Sequence, residues 1–156
     1  MLDGIKRILR PYICDQQPLR GQQPLFTFKE THVISGSELR RVISSAYPDA
    51  RIYIADAAYK HVSYDELLRW LNEDSLDQMR WVEDIWDCDN FAVESYCRAH
   101  KVVGNLVYGE CWGNTPTGYH AFCLAYCDGK IKIIEPQNDA TNDWKKSVYK
   151  PDFNKI

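Results

Sequence analysis

The chain has 156 residues, which is the length of one domain able to bury a sizeable core. Hydrophobic residues make up 45% and charged residues 26% of the sequence, which excludes disordered, collagen-like and low-complexity classes. The formal net charge is −3, so we expect no nucleic-acid partner, because no strong positive charge is present to attract phosphates.

Residues 1–30 predict an N-terminal helix followed by an extended arm rich in Gln and Pro. Residues 1–12 place apolar and basic side chains on different faces of a helix, which suits docking on the domain itself, on a partner or on a membrane surface. The arm, residues 14–30, is interpreted as a linker, a strap or a segment that folds on a partner, and it offers a route to homo-oligomer assembly. Residues 31–156 are predicted to form the main domain.

The chain start lacks the apolar core of a secretory signal, and no apolar run reaches the roughly 20 residues of a membrane span. We therefore expect a cytoplasmic or virion-associated protein with no signal peptide and no transmembrane segment. We also expect reduced, mostly buried thiols, with a disulfide framework as the alternative. The cysteines are Cys14, Cys88, Cys97, Cys111, Cys123 and Cys127.

Two short motifs predict where helices begin. Ser35 with Glu38, and Ser63 with Glu66, match the capping box, in which a hydroxyl and a carboxylate satisfy the first free amides of a helix. The first of these helices is predicted to end before Pro48, because proline cannot continue a helix.

The remaining elements predict a helix that leans on a sheet. Asp128 and Gly129 form a dipeptide typical of a two-residue type I′ turn, which joins antiparallel strands. The order of elements predicts an α+β fold with an antiparallel sheet. The predicted elements are a strand over 51–54, a helix over 88–100, and strands over 105–112, 119–127 and 130–136.

The register of this hairpin brings His120 and Glu135 together. A two-residue turn pairs residue 127 with residue 130, so the even positions from 120 share a face with the odd positions from 131 to 137. Diagonal neighbours across strands lie about 7–8 Å apart at the backbone, within reach of an imidazole and a carboxylate. Gln137 falls on the same face, where it either helps to build the site as an oxyanion donor or ends the hairpin.

Cys88 begins the predicted helix over 88–100, where the helix dipole lowers the pKa of a thiol. A thiol, a histidine and a carboxylate that orients the histidine are the parts of a nucleophilic triad. We therefore predict Cys88 as the nucleophile, His120 as the base and Glu135 as the third member. Trp112, beside a Gly/Pro/Thr-rich loop, is predicted to contact the substrate.

Four acidic residues, Glu83, Asp84, Asp87 and Asp89, surround Cys88 in the sequence. Their negative charge disfavours a thiolate, and a divalent cation held by their oxygens would remove that penalty. We predict a Ca²⁺ or Mn²⁺ site that uses Asp87 or Asp89, with Asp84 and Glu83 as lesser candidates. The alternative is a solvated acidic turn that caps the helix through Asp87.

Three motifs carry a resemblance to a known family. They are residues 86–92 (WDCDNFA), 119–122 (YHAF) and 134–139 (IEPQND). Together they resemble the papain-like, calcium-dependent cysteine protease domain of the Marasmius oreades agglutinin type and its phage and bacterial relatives. The likeness covers about residues 50–140, and the first 50 residues have no counterpart. No β-trefoil lectin domain is recognised, so glycan recognition is not carried over.

The resemblance implies a papain-like fold, calcium dependence, and the roles given above to Cys88, His120 and Glu135. We therefore predict a cysteine peptidase that acts on a peptide or protein. Two alternatives stay open. One is a peptidoglycan amidase or transglutaminase-like hydrolase, and the other is an inactive binding or structural protein, such as a virion component.

Overall fold

The computed structural model describes residues 26–156, so the predicted N-terminal helix and residues 14–25 of the arm lie outside the described residues. The helices are α1 (Gly36–Ala46), α2 (Tyr64–Asp74) and α3 (Cys88–Val102), with a 3₁₀ turn at Leu76–Gln78. The strands are β1 (His32–Ser35), β2 (Arg51–Tyr53), β3 (Ala58–His61), β4 (Tyr108–Thr115), β5 (Gly118–Cys127), β6 (Lys130–Glu135), β7 (Ala140–Asp143) and β8 (Lys150–Lys155).

The strands form two sheets. The larger sheet has six strands in the order β2-β8-β4-β5-β6-β7, and the smaller one pairs β1 with β3. The β2–β8 pair is parallel, whereas every other pair is antiparallel. The predicted α+β class is confirmed, and the helix that begins at Cys88 packs on the sheet as expected.

Local capping chemistry sets the helix starts that the sequence predicts. Ser35 Oγ accepts a hydrogen bond from the Glu38 amide at 3.1 Å, and Ser63 Oγ accepts one from the Glu66 amide at 3.2 Å. Each bond satisfies one of the amides that a helix leaves unpaired at its start. Both predicted N-caps are confirmed.

The tight turn between β5 and β6 has the predicted backbone. Asp128 has φ +50° and Gly129 has φ +75°, and a type I′ turn requires positive φ at both central residues. Cys127 pairs with Lys130, and Leu124 pairs with Ile133, which is the register deduced from the sequence. Side chains of β5 therefore alternate between the two faces of the sheet as predicted.

Helices cover both faces of the large sheet, which gives the domain two apolar layers. One layer packs α2 and α3 against a face of β4 and β5, through residues that include Leu67, Trp70, Ala92, Tyr108, Ala121 and Cys123. The other packs α1 against the opposite face, through residues that include Leu39, Ile43, Phe122, Leu124, Ile131 and Ile133. Phe26 and Phe28, in the segment that the sequence assigned to the arm, are 7% and 6% exposed and belong to the first layer.

The sequence did not indicate β1, β3, β7 or β8. Strand β8 reads KPDFNK and lacks the apolar alternation that predicts a strand. It is fixed by its neighbours, since it lies between β2 and β4 in the sheet.

The cysteines differ in oxidation state. Cys97 is disulfide-bonded, so the prediction of reduced thiols is wrong at this position. Cys88, Cys111, Cys123 and Cys127 are free, and all of them except Cys88 are buried. Within residues 26–156, every helix is too short or too polar to cross a membrane.

We predict that Gly113→Ala lowers the free energy of unfolding by about 1–3 kcal/mol, the usual cost of overpacking. A Cβ at Gly113 would lie 2.1 Å from the Lys150 carbonyl oxygen and 2.7 Å from Pro151 Cα, so the backbone of β8 must shift. Urea denaturation measures the change. Gly104→Ala is the matched control, because a Cβ there meets no atom within 4 Å. Equal denaturation midpoints for the two variants would show that β8 is not packed closely on Gly113.

Candidate functional site

The histidine and the glutamate predicted from the hairpin register are in contact. His120 Nε2 lies 2.6 Å from Glu135 Oε2, and the two side chains are 19% and 11% exposed. Such a short bond between an imidazole and a carboxylate is stronger than one between neutral groups. The carboxylate therefore fixes the orientation of the ring at this end of the sheet.

Tyr149 completes this cluster, although no sequence pattern predicted it there. Its hydroxyl donates to Glu135 Oε2 at 3.1 Å, and its ring meets the His120 ring edge to face at 5.7 Å. Burial, followed by the charge and hydrogen bond of Glu135, raises the pKa of Tyr149 to about 12. Tyr149 lies in the link before β8, outside every predicted element, so no local signal placed it here.

Gln137 contributes to the cluster through its backbone. Its amide donates to Glu135 Oε1 at 3.3 Å, so Glu135 is held by His120 and Tyr149 on one oxygen and by this amide on the other. Three such bonds satisfy a carboxylate that is nearly buried. The predicted role of Gln137 as an oxyanion donor stays a prediction.

Cys88 lies at the start of α3 with its thiol half-buried. Burial is the largest cause of the raised pKa of the thiol, and the charges of Asp87 and Asp89 raise it further. A hydrogen bond from the Ala121 backbone acts in the opposite direction. The lowering of the pKa that the helix end was expected to cause is therefore outweighed, and this environment disfavours the thiolate.

Cys88 lies against β5 beside Ala121, the residue that follows His120. Cys88 packs against the layer that contains Ala121 and Trp112, whereas the His120 ring stacks on Phe122 of the opposite layer, with centroids 6.3 Å apart. In the described part of the chain, no hydrogen bond joins the thiol to the imidazole. His120 and Glu135 are thus in contact, and the Cys88 thiol lies beside the backbone of Ala121. The catalytic roles of Cys88, His120 and Glu135 stay predictions.

Trp112 and Tyr119 form an aromatic pair on the α3 side of the sheet. Trp112 pairs with Ala121, so its side chain lies on the opposite face from His120. The two rings stack with centroids 6.1 Å apart and an interplanar angle of 29°, and Tyr119 is 56% exposed. Trp112 Nε1 donates to Glu110 Oε1 at 2.9 Å, and the Tyr119 hydroxyl donates to Asp152 Oδ1 at 2.8 Å.

The four carboxylates of the predicted cation site divide into two pairs. Asp87 is the N-cap of α3, and the hydrogen bond that a protonated Asp89 carboxyl donates to Asp87 is the largest cause of the raised pKa of Asp89. Glu83 and Asp84 are exposed in the preceding loop. Among residues 26–156, no group of three or more His, Cys, Asp or Glu side chains is arranged to hold a metal ion. The structure thus brings together only Asp87 and Asp89, and the Ca²⁺ or Mn²⁺ requirement stays a prediction.

Comparison with known proteins finds likeness only at the level of structure. No family model matches the chain, and no curated protein matches it. PSL1a in complex with E64 matches with a TM-score of 0.66 and 21% identity over 80% of this chain and 50% of that one. Polyporus squamosus lectin bound to the human-type influenza-binding epitope Neu5Acα2-6Galβ1-4GlcNAc matches with a TM-score of 0.65 and 22% identity, over 80% of this chain and 49% of that one. This chain spans about half the length of each, and the likeness shows the fold alone.

This comparison contradicts the identification as a papain-like, calcium-dependent cysteine protease. The matched structures are those of a lectin, so the predictions of an enzyme and of a cysteine peptidase are wrong on this comparison. The alternatives of a cell-wall amidase, a transglutaminase-like hydrolase and an inactive virion component receive no support from it either. The family assignment depended on three short motifs. At least one residue of these motifs, Asp87, has a structural role as the N-cap of α3.

The Asp139 carboxyl, in the turn that follows Glu135, is expected to make the stability of the domain depend on pH. Burial and the charges of Asp77 and Asp74 raise the pKa of Asp139 to about 7, above its unfolded value of about 3.9. The folded state then holds more protons than the unfolded state between these values, so the free energy of unfolding falls as pH rises from about 4 to 7. We expect Asp139→Asn to raise the melting temperature at pH 8 and to leave it nearly unchanged at pH 4.

Thermal denaturation at the two pH values measures the effect. Asn tolerates the left-handed backbone of this position, φ +56°, so the substitution adds no strain. Asp49→Asn, in the exposed loop before β2, is the control and should follow the unaltered chain. An equal rise for Asp139→Asn at both pH values would rule out titration of this carboxyl as the cause.

Proposed function

We propose that the chain is a carbohydrate-binding domain and that its sugar site is the aromatic pair of Trp112 and Tyr119. The matched solved structures are of a lectin, one of them bound to a sialylated trisaccharide, which supports a carbohydrate as the partner class. This chain spans only about half the length of that lectin. Carbohydrate binding by this chain is therefore a proposal, and the glycan that it prefers has to be measured.

The exposed face of Tyr119 is the observation that carries this proposal. A sugar ring has a face of C–H groups that packs on an aromatic ring, and its hydroxyls require hydrogen-bond partners at the edge of that contact. Tyr119 is 56% exposed, and its stack on Trp112 holds it in place without taking both of its faces. An aromatic side chain kept partly in solvent in this way is available to a ligand.

Two carboxylates flank the rings, and Asp152 is the one suited to a sugar hydroxyl. Asp152 accepts from the Tyr119 hydroxyl, and Glu110 accepts from the Trp112 indole. A carboxylate has about four acceptor sites, so Asp152 retains capacity for a ligand. Glu110 is 12% exposed and its Oε2 lies 4.0 Å from Lys155 Nζ, so it serves to hold the indole. Asp152 is already oriented by its aromatic donor, which reduces the entropy lost when a ligand binds.

We propose a papain-like arrangement as a description of the fold alone, with Cys88 at the start of a helix on the sheet and His120 on the strand that it contacts. The support is the hydrogen bond that the Ala121 backbone amide donates to the Cys88 thiol, together with the contact between His120 and Glu135. Because one matched structure is a complex with E64, we propose that a ligand also reaches this end of β5.

We predict that Tyr119→Ala weakens glycan binding at least tenfold, because it removes the exposed half of the stack. Binding is screened on a glycan array that includes Neu5Acα2-6Galβ1-4GlcNAc and is then measured by calorimetry with the best glycan. Tyr53→Ala is the control, since Tyr53 is similarly exposed at 58% but lies on the edge strand β2. The proposal fails if no glycan binds, or if both variants bind as the unaltered chain does.

We predict that iodoacetamide labels Cys88 first among Cys88, Cys111, Cys123 and Cys127, because the other three are buried. The labelling rate should rise steeply with pH, since the pKa of Cys88 is raised and the thiolate is the reactive form. E64 should slow this labelling if a ligand reaches the same end of β5. Peptide mass spectrometry locates the label, and Cys88→Ser gives the background. An unchanged labelling rate with E64 present would contradict the proposal that a ligand reaches this end of β5.

A further inference from the structure

A groove lies between α1 and the open end of the β6–β7 hairpin, next to the β5–β6 turn. It is away from the aromatic pair of Trp112 and Tyr119. Its volume is about 530 Å³, within the range of sites for small ligands. The β5–β6 turn and the segment after β7 form one side, and α1 forms the other. Four cations dominate its lining: Arg41, Lys130, Lys145 and Lys146.

The charge of this groove is opposite to that of the whole chain. Asp143 is the one acidic residue that lines it, and Lys132 holds that carboxylate at 2.6 Å. The hydrogen bond and charge of Lys132, together with the charges of Lys130 and Lys146, lower the pKa of Asp143. Because Asp143 already has a cation of its own, the positive charge of the four lining cations is only partly offset on a chain of net charge −3.

Trp144 gives the groove an apolar wall. Its ring is half-buried and meets Tyr47 edge to face at 5.8 Å, with Val42 and Ile131 also lining the groove. The Trp144 amide donates to the Ile131 carbonyl at 3.2 Å, which ties the residue to β6. The rings and this backbone bond fix the indole before any ligand arrives.

The lysines that follow Trp144 are held in a turn. The amides of Lys146 and Ser147 donate to the Asp143 carbonyl at 2.8 and 3.0 Å. Lys145 Nζ lies 5.6 Å from the centroid of the Trp144 ring, so one cation stands beside the aromatic face. The turn fixes the backbone of the lysines, and their exposed side chains place ammonium groups beside the held ring. Cations next to an aromatic ring recognise a ligand that has both a negative group and a ring.

We propose that this groove binds a small ring-bearing anion, a phosphate or sulfate ester, with its ring on Trp144 and its anionic group among Lys130, Lys145 and Lys146. Arg41 is bridged to Glu38 across one turn of α1 and stands at the rim. The site is separate from the proposed sugar site in residues and in chemistry, since the latter is flanked by carboxylates.

Calorimetry with three probes tests the proposal. Phenyl phosphate carries both groups, inorganic phosphate carries only the anion, and phenol carries only the ring. We expect phenyl phosphate to bind at least tenfold more tightly than inorganic phosphate, with no measurable heat from phenol. The affinity should fall as salt is raised from 50 to 300 mM, because the anion contact is electrostatic.

Variants assign the binding to this groove. Lys130→Gln and Lys146→Gln should each weaken phenyl phosphate at least fivefold, whereas Lys101→Gln, an exposed lysine near the end of α3, should not. Trp144→Leu should remove the preference for phenyl phosphate over inorganic phosphate. Tyr119→Ala should leave phenyl phosphate binding intact, so failure of the sugar site and failure of this site are distinguishable. Absence of phenyl phosphate binding, equal affinity for both phosphates, or equal loss in Lys101→Gln would overturn the proposal.

Discussion

The register of the β5–β6 hairpin is the constraint on which the rest of the molecule depends. Positive φ at Asp128 and Gly129 sets a two-residue turn, and the turn decides which β5 side chains face α1 and which face α2 and α3. A slip of one residue would exchange the two faces of the strand. The slip would also separate His120 from Glu135, so a single turn controls both apolar layers and the polar cluster.

His120 belongs to β5, and the Cys88 thiol contacts this strand at the neighbouring residue. Residues adjacent on a strand point to opposite faces, so His120 turns toward Phe122 while the Cys88 thiol meets the backbone of Ala121. Glu135 accepts from His120, from Tyr149 and from the Gln137 amide. These three hydrogen bonds to Glu135 hold His120, Tyr149 and the backbone of Gln137 in place at the end of the hairpin.

The parts of the fold that local chemistry determines could be predicted, and the parts that distant segments determine could not. Helix caps at Ser35 and Ser63 and the turn at Asp128 need only neighbouring residues. Strand β8 pairs with β2 about a hundred residues earlier, and Tyr149 reaches Glu135 only because that strand returns to the sheet. Short motifs around Cys88 suggested a family, but the solved structures of the same shape are those of a lectin.

The two proposed ligand surfaces lie at opposite ends of β5, and carboxylates flank one whereas lysines line the other. Tyr119 is near the start of the strand, whereas Gly129 borders the groove of Trp144. Ten extended residues span roughly 30 Å, about three to four Debye lengths at physiological salt. The carboxylates Glu110 and Asp152 therefore do not weaken the attraction of an anion to Lys130 and its neighbours. Screening by salt means that only charges within about 10 Å of the ligand contribute much to its binding. A domain with a small net negative charge can therefore contain a positively charged groove.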